Sequence, residues 1–493
     1  MFSQALLSHG GAEIVNFHRK RVCIVGGGIS GLGAAWALSH HPERFDFELW
    51  EKNPRTGGNA VTVEIPQDDG SKIPIDISVT AYIPTVYRHY VILLARYGIA
   101  ALSTRFSYSV RYGEGVYAHD FDSPLKEELR PEIERFQALV QRMQRFTALS
   151  GSSSRLIAAA NPYNYIPMGR LLDLHGFSSA FRFKVLKPMF VNFVLASGLF
   201  DMPAALFARY LDFFDIERST LMVTWDQGTA NLYRKMSAHF RDRIHLGRGV
   251  ARIFRDASGV RVRDEQGREE RFDELVLACN ANQSLMALDR PSARERWLLG
   301  SVRYESELHN HAVVHWDDSV LGRDGAQALE TRSNYIEQYG ARPDNYEITY
   351  IMHNQQPWAK RSDKPCLVTY NPVHPIDPRK VIARHWFQHV VHDVFHVSVL
   401  MNAFQFVQGH AHTWHCGAHT VVNSQEHGFI SGLAVARQLG AGYAFEDAGA
   451  REWFNFWGRG MFGPSFREAR EGEPVPVHPA SEHTIEDQAG TKR

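Results

Sequence analysis

After a weakly patterned lead-in, four consecutive apolar residues, Val22 to Val25, run into Gly26, Gly27 and Gly28, and past Gly31 an alanine-rich helical pattern begins. A short unbroken apolar run followed by a 3.6-residue period predicts a buried strand, a glycine turn and a helix in immediate succession. Phe45 to Trp50 alternates and predicts a second strand. Tyr87 to Tyr97 predicts a helix with Val91, Leu94 and Tyr97 on one face, and Phe106 to Tyr117 a hairpin turning at Gly113-Glu114-Gly115. Ile133, Phe136, Val140, Met143 and Phe146 recur at helical spacing, so 131–149 predicts an amphipathic helix, ended by the run Gly151 to Ser154. Residues 165–215 are helical in pattern and strongly apolar, which suits either the packed helices of a second domain or the wall of a greasy channel. Phe272 to Asn280 predicts a buried parallel strand. The segment from His412 to Val435 repeats the opening grammar: an apolar strand, a turn at Gly417-Ala418, a second turn at Glu426-His427-Gly428, and a helix carrying Ser431-Gly432.

The first of these glycine turns has a chemistry. Gly26 permits the tight turn, Gly28 lets backbone approach a pyrophosphate, and Gly31 lets the helix pack close on the strand. The N–H groups of the helix's first turn, at Ile29 and Ser30, then face the phosphates. Glu51 ends the second strand, twenty residues after Gly31, where a nucleotide fold places a carboxylate for the ribose hydroxyls. Lys52, Arg55, Gly57, Gly58 and Asn59 follow at once. A second glycine pair so soon is not needed for NAD; it suits a ligand that continues past the adenosine diphosphate, as FAD does. The helix N-terminus after Gly428 would serve the other end of that ligand.

The glycine loop, Glu51, the Arg55-Thr56-Gly57-Gly58 segment and the Glu426/Gly428 turn together resemble the flavin-containing amine oxidase and phytoene desaturase superfamily. Within it the chain looks most like FAD-dependent oxidoreductases related to the flavin domain of some cyclopropane fatty acid synthases. The resemblance implies an α/β protein with FAD as cofactor. Its Rossmann-like FAD-binding domain would be discontinuous, built from 20–97, 225–300 and 397–445, with a mixed α+β substrate domain from 98–224 and 301–396. A lead-in (1–19), an aromatic segment (446–470) and a disordered tail (471–493) complete the division. Carried over by position, Val250 would face the adenine by its backbone, and Gly417, Glu426, His427, Gly428 and Ser431 would hold the flavin end. The chain also departs from the family pattern. Ser78 stands where glycine is preferred, His427 stands for an aspartate, and Val421 to Ser424 supply no aromatic wall of the kind amine oxidases carry there.

Composition narrows the partners. Lys+Arg and Asp+Glu are equal at 54 each, so no global field draws nucleic acid or an anionic membrane. The four cysteines are scattered, which suggests reduced, buried thiols rather than a disulfide framework. No apolar run is long enough to span a bilayer, so the expected location is cytoplasmic. Residues 451–467 mix aromatics with arginines, as a helix capping the domain or as a peripheral contact with membrane lipid. His385, His389, His392 and His396 would share one face of a helix, a spacing open to a metal; satisfied structural histidines are the preferred reading, and no metal is expected. His419 and Tyr82 are the candidate catalytic groups. The apolar middle favours a lipophilic small-molecule substrate, with desaturation or double-bond isomerisation of an unsaturated or methylated fatty-acyl chain as the leading reaction. Amine oxidation is the alternative, and a non-catalytic lipid binder like the GDP dissociation inhibitors is a further one.

Overall fold

The structure, a computed structural model, describes residues 19–120, 122–150, 160–194, 198–211, 216, 220–305, 311–340 and 345–476. Nearly all of the lead-in, the Gly151 to Ser154 break and the tail from 477 lie outside them.

Five short parallel strands form the central sheet, in the spatial order Thr413–His415, Glu274–Leu277, Lys20–Val25, Phe45–Glu51 and Ile244–Leu246. Strand Lys20–Val25 sits in the middle, with Val25 opposite Leu277 on one side and Trp50 on the other. A strand covered on both faces reads as a continuous apolar run. Accordingly Val22 and Ile24 enter one core cluster, and Cys23 and Val25 another, on opposite faces. Helix Ile29–Ser39 is buried along its whole length and packs on helix Gln425–Leu439 through small residues. A Cβ on Gly432 would stand 2.0 Å from the Ser30 carbonyl oxygen, and one on Gly33 would stand 2.9 Å from Phe429. The contact between the two helices therefore depends on glycine, and it brings the two glycine turns side by side.

A second unit is built on a seven-stranded mixed sheet, ordered Val381–Trp386, His311–His315, Leu367–Tyr370, Tyr346–Ile351, Asn334–Gln338, Tyr108–Tyr112 and Gly115–Ala118. The hairpin turns with Tyr112 opposite Gly115, as its sequence predicts. Helix Pro124–Ser150 covers this region with Ile133, Phe136, Val140 and Met143 buried, whereas Phe146 is about half exposed. Val91 is likewise outside the core: in helix Arg88–Arg96 the buried positions are His89, Tyr90, Leu93 and Leu94. Periodicity found both helices and misjudged the edge of each buried face. The aromatic segment forms helix Ala448–Phe462. Of the tail from 471, residues 471–476 are described, without helix or strand; Glu473 there accepts hydrogen bonds from Arg437 at 2.8 Å and from the Arg470 backbone at 3.0 Å. Among the described residues no helix is long and apolar enough to cross a membrane.

Buried carboxylates join distant segments by capping helices. Helix Arg88–Arg96 has no side-chain cap of its own. Its first-turn N–H groups at His89 and Tyr90 donate to Glu426, at 3.0 and 3.1 Å, and His89 Nδ1 lies 2.6 Å from the same carboxylate. Asp76 does the same for helix Thr229–Met236, taking the Thr229 N–H at 2.9 Å together with the Trp225 indole at 2.9 Å. Burial raises the Asp76 carboxyl to about 6, against the hydrogen bonds that lower it. A helix N-terminus left without partners in the interior costs the desolvation of each donor. Glu426→Ala is expected to destabilise the protein by about 3–5 kcal/mol, with Glu426→Gln milder; thermal or denaturant unfolding of the two variants checks the order.

Candidate active site

One cavity of about 2290 Å³ runs from the glycine turns into the second unit. A pocket for one drug-sized molecule holds roughly 300–1,000 Å³, so this one has room for a dinucleotide and a substrate together.

At the dinucleotide end Gly26, Gly28, Ile29, Ser30, Glu51, Lys52, Arg55, Gly57, Gly58, Asn59 and Val250 line the wall. The two glycine turns touch: Gly57 N–H donates to the Gly27 carbonyl at 2.8 Å, and a Cβ on Gly58 would stand 3.1 Å from the Gly28 Cα. Gly28 caps the helix with no side-chain bond, leaving the first turn to a ligand. A Cβ on Gly28 itself would meet only the Gly58 Cα, at 3.9 Å, so the cavity and not the protein requires glycine there. Glu51 is buried; its Oε2 accepts the Gly27 N–H at 2.6 Å and its Oε1 the Asn53 N–H at 2.8 Å. Oε1 also takes an Asn53 Nδ2–H at 2.6 Å, so of the two oxygens it is Oε2 that keeps a lone pair for a ribose hydroxyl. The Arg55 guanidinium is spent on the Gly58 and Ala60 carbonyls, at 3.1 and 3.3 Å, and so braces the second turn. These features fit FAD.

Beside the first glycine turn, Gly417, His419, His427 and Gly428 line the same cavity, and a Cβ on Gly428 would stand 2.7 Å from Ile29. Three of the expected ligands do not line it. Glu426 faces helix Arg88–Arg96 as described. The Ser431 hydroxyl accepts the Gly417 N–H at 3.0 Å and donates to the Gly428 carbonyl at 2.7 Å, tying the two turns together from behind. Gly31 lies within the helix, where a Cβ would fall 1.9 Å from the Gly26 carbonyl oxygen. The geometry gives these three residues to the scaffold around the ligand.

His419 and Tyr82 both line the cavity. Burial, and then the nearby His415 and His396, holds the His419 imidazole down to about 3, so it is neutral at physiological pH. Tyr82 stacks on Trp225 at 5.4 Å, and burial pushes its hydroxyl up to about 12. Both are wall residues that keep their protonation state across the working range. The four spaced histidines do not share a helix face. His385 is in strand Val381–Trp386 and His396 starts a separate helical turn; of the four, His392 and His396 meet, at 3.1 Å between ring nitrogens. Among the described residues no group of three or more His, Cys, Asp or Glu is placed to hold a metal.

Several residues of the cavity were not legible in the sequence. Arg248 lays its guanidinium 3.5 Å above the Trp50 ring and pairs with Asp264 and Glu270, forming the outer wall beside Val250. Aromatic rings absent after Thr420 reach the cavity from elsewhere: Tyr87, and Trp453 and Trp457 of helix Ala448–Phe462, line it together with Tyr82. Their i, i+4 spacing shows that the two tryptophans share a helix face, not what that face meets.

Gly28→Ala is expected to fold normally and to bind FAD roughly ten- to a hundredfold more weakly, because the new methyl enters the phosphate cradle. Gly31→Ala, at a position just as glycine-specific in sequence, is expected to lose about 3 kcal/mol or more of stability. Flavin retained per protein and thermal unfolding, measured on both variants, separate the two roles.

Solved structures of similar fold span both kinds of chemistry. A CLA-producing fatty acid isomerase from P. acnes aligns with a TM-score of 0.60 at 17% identity, over 85% of this chain and 98% of its own. Cyclohexylamine oxidase from Brevibacterium oxydans IH-35A aligns at 0.60 and 16%, over 86% and 100%. Putrescine oxidase bound to putrescine aligns at 0.59 and 15%, over 86% and 99%. At these identities the likeness is one of fold. No curated protein sequence matches the chain. Residues 29–318 match the model of the flavin containing amine oxidoreductases; the chain belongs to that family and is an FAD-dependent oxidoreductase.

Proposed function

We propose that this oxidoreductase acts on a long lipophilic substrate, an unsaturated or methylated fatty-acyl chain, desaturating it or shifting its double bond. The observation that carries the reading is the single cavity, whose second half is walled by apolar side chains such as Ile83, Phe106, Leu206, Met222 and Phe387. The fold likeness to a fatty acid isomerase is consistent with it. FAD, when bound, supplies a hydride acceptor. In this reading Gly26, Gly28 and the first turn at Ile29 and Ser30 receive the pyrophosphate, with Gly57 and Gly58 close behind. Glu51 takes the ribose, Val250 faces the adenine, Lys52 and Asn59 lie along the same wall, and Gly417, His427 and Gly428 hold the ligand from the second turn.

The protein's own share is position and the exclusion of water. An ammonium group would find few carboxylates to pair with: those on the cavity wall, among the described residues, are Glu51, Glu265 and Glu468. Glu51 and Glu265 belong to the dinucleotide end, and Glu468 is paired with Arg459 at 3.0 Å. Phe456, partly exposed on the rim beside Trp457, is the side chain through which the C-terminal helix would touch a lipid surface.

A general base contributes about 10²–10⁴ in rate and titrates near the working pH. His419 and Tyr82 do neither in this reading. His419→Asn and Tyr82→Phe are each expected to lower kcat less than about tenfold and to leave the pH profile unchanged; a loss of a hundredfold or more would make either one the base. For the substrate class, oxidised protein is mixed without oxygen with unsaturated fatty acids and, separately, with amines. Bleaching of the flavin by the lipid, or formation of a shifted double bond, is the expected outcome. Bleaching by amines alone would overturn it.

A further inference from the structure

His392 and His396 face the back of the cofactor turn, and their hydrogen bonds have one consistent direction. His392 Nε2 accepts the backbone N–H of Asn423 at 2.9 Å. A neutral imidazole that accepts at one nitrogen carries its hydrogen on the other, so His392 is protonated at Nδ1. That atom lies 3.1 Å from Nδ1 of His396, which must therefore accept. His396 then holds its hydrogen on Nε2, 3.1 Å from the His419 carbonyl, and donates to it. The order runs from one backbone group to another through two imidazoles, each fixing the tautomer of the next.

Both ends of this wire lie on one turn, the segment 417–424 between strand Thr413–His415 and helix Gln425–Leu439. Its Gly417, Ala418, His419 and Asn423 line the cavity. The same segment adds a third tie, from Asn423 Nδ2 to the Val390 carbonyl at 3.0 Å. Both imidazoles are buried and neither lines the cavity, so their chemistry is directed at the turn.

We propose that His392 and His396 are positioning residues that clamp the 417–424 turn against FAD, and that protonation of the pair releases it. The inference rests on the placement of this turn at the cofactor. An added proton leaves a donor facing a donor: either His392 Nε2–H against the Asn423 N–H, or two Nδ1–H groups against each other. The groups around the pair do not offset that. His389 and His427 act on His392 and disfavour its charge. Asp393 favours charge on His396 but already accepts the His396 N–H at 2.7 Å and pairs with Arg303 at 3.0 Å. Burial lowers His396 to about 4 and His392 well below its usual value. Both folded values lie below ~6.5, the unfolded reference. The clamp is therefore complete above that pH and is lost as the pH falls toward the folded values.

The test follows release of FAD from the holoprotein by the rise of free-flavin fluorescence. Wild type is expected to release about tenfold faster at pH ~5 than at pH ~7.5. His392→Gln keeps an acceptor for Asn423 and loses the donor to His396, so it is expected to release about tenfold faster at pH ~7.5, the worth of about one hydrogen bond, with a flatter response to acid. Wild-type release at both pH values in His392→Gln and in His396→Gln would overturn the proposal. A second measurement needs no variant to bind flavin. Nitrogen-15 NMR of the wild-type imidazoles, with the His392 signal identified by its loss in His392→Gln, is expected to show His392 as the Nδ1–H form. Finding the Nε2–H form would equally overturn it.

Discussion

The cofactor half of this protein depends on buried carboxylates that take backbone N–H groups from far along the chain. Glu51 receives the glycine loop, Asp76 the helix at Thr229, and Glu426 the helix at Arg88. In each case the donor belongs to a turn or helix start that its own neighbours leave without a side-chain cap. Because an uncapped, buried N-terminus is costly, each carboxylate fixes where a distant element begins. Asp76 and Glu426 thereby stitch together segments far apart in the chain, and Glu51 ties the glycine loop to the neighbouring strand.

On that frame two helices, Ile29–Ser39 and Gln425–Leu439, approach through Gly33 and Gly432 so closely that one methyl at either site would collide. Their N-termini bring both glycine turns to a single cavity. One flavin can then span what the sequence separates by almost the whole length of the chain. The second sheet and helix Ala448–Phe462 enclose the other half of the cavity, which explains why the substrate side draws on so many unrelated segments.

The interior histidines have a common character. His392, His396, His419 and His427 are all held neutral by burial. Neutral imidazoles can order hydrogen bonds in a fixed direction while placing no charge beside the cavity. That suits a protein whose redox chemistry belongs to its cofactor and whose own work is to hold and to exclude.

The sequence by itself determined the strand–turn–helix at Val22 to Leu38, the carboxylate at Glu51, the paired glycines at Gly57 and Gly58, and the second turn before Gly428. These are local: each needs a residue type whose backbone or charge is dictated within a few positions, so spacing alone exposes them. What the tertiary structure decided is which side of a wall each residue occupies. Gly28 faces the cavity and Gly31 the protein, though both are helix-start glycines. Glu426 caps another helix instead of meeting the ligand. The histidine series is split between a strand, a loop and the start of a helical turn, and aromatic rings reach the cavity from Trp453 and Trp457. Those outcomes depend on packing between segments that share no sequence neighbourhood, where periodicity says that a face is buried and is silent about what buries it.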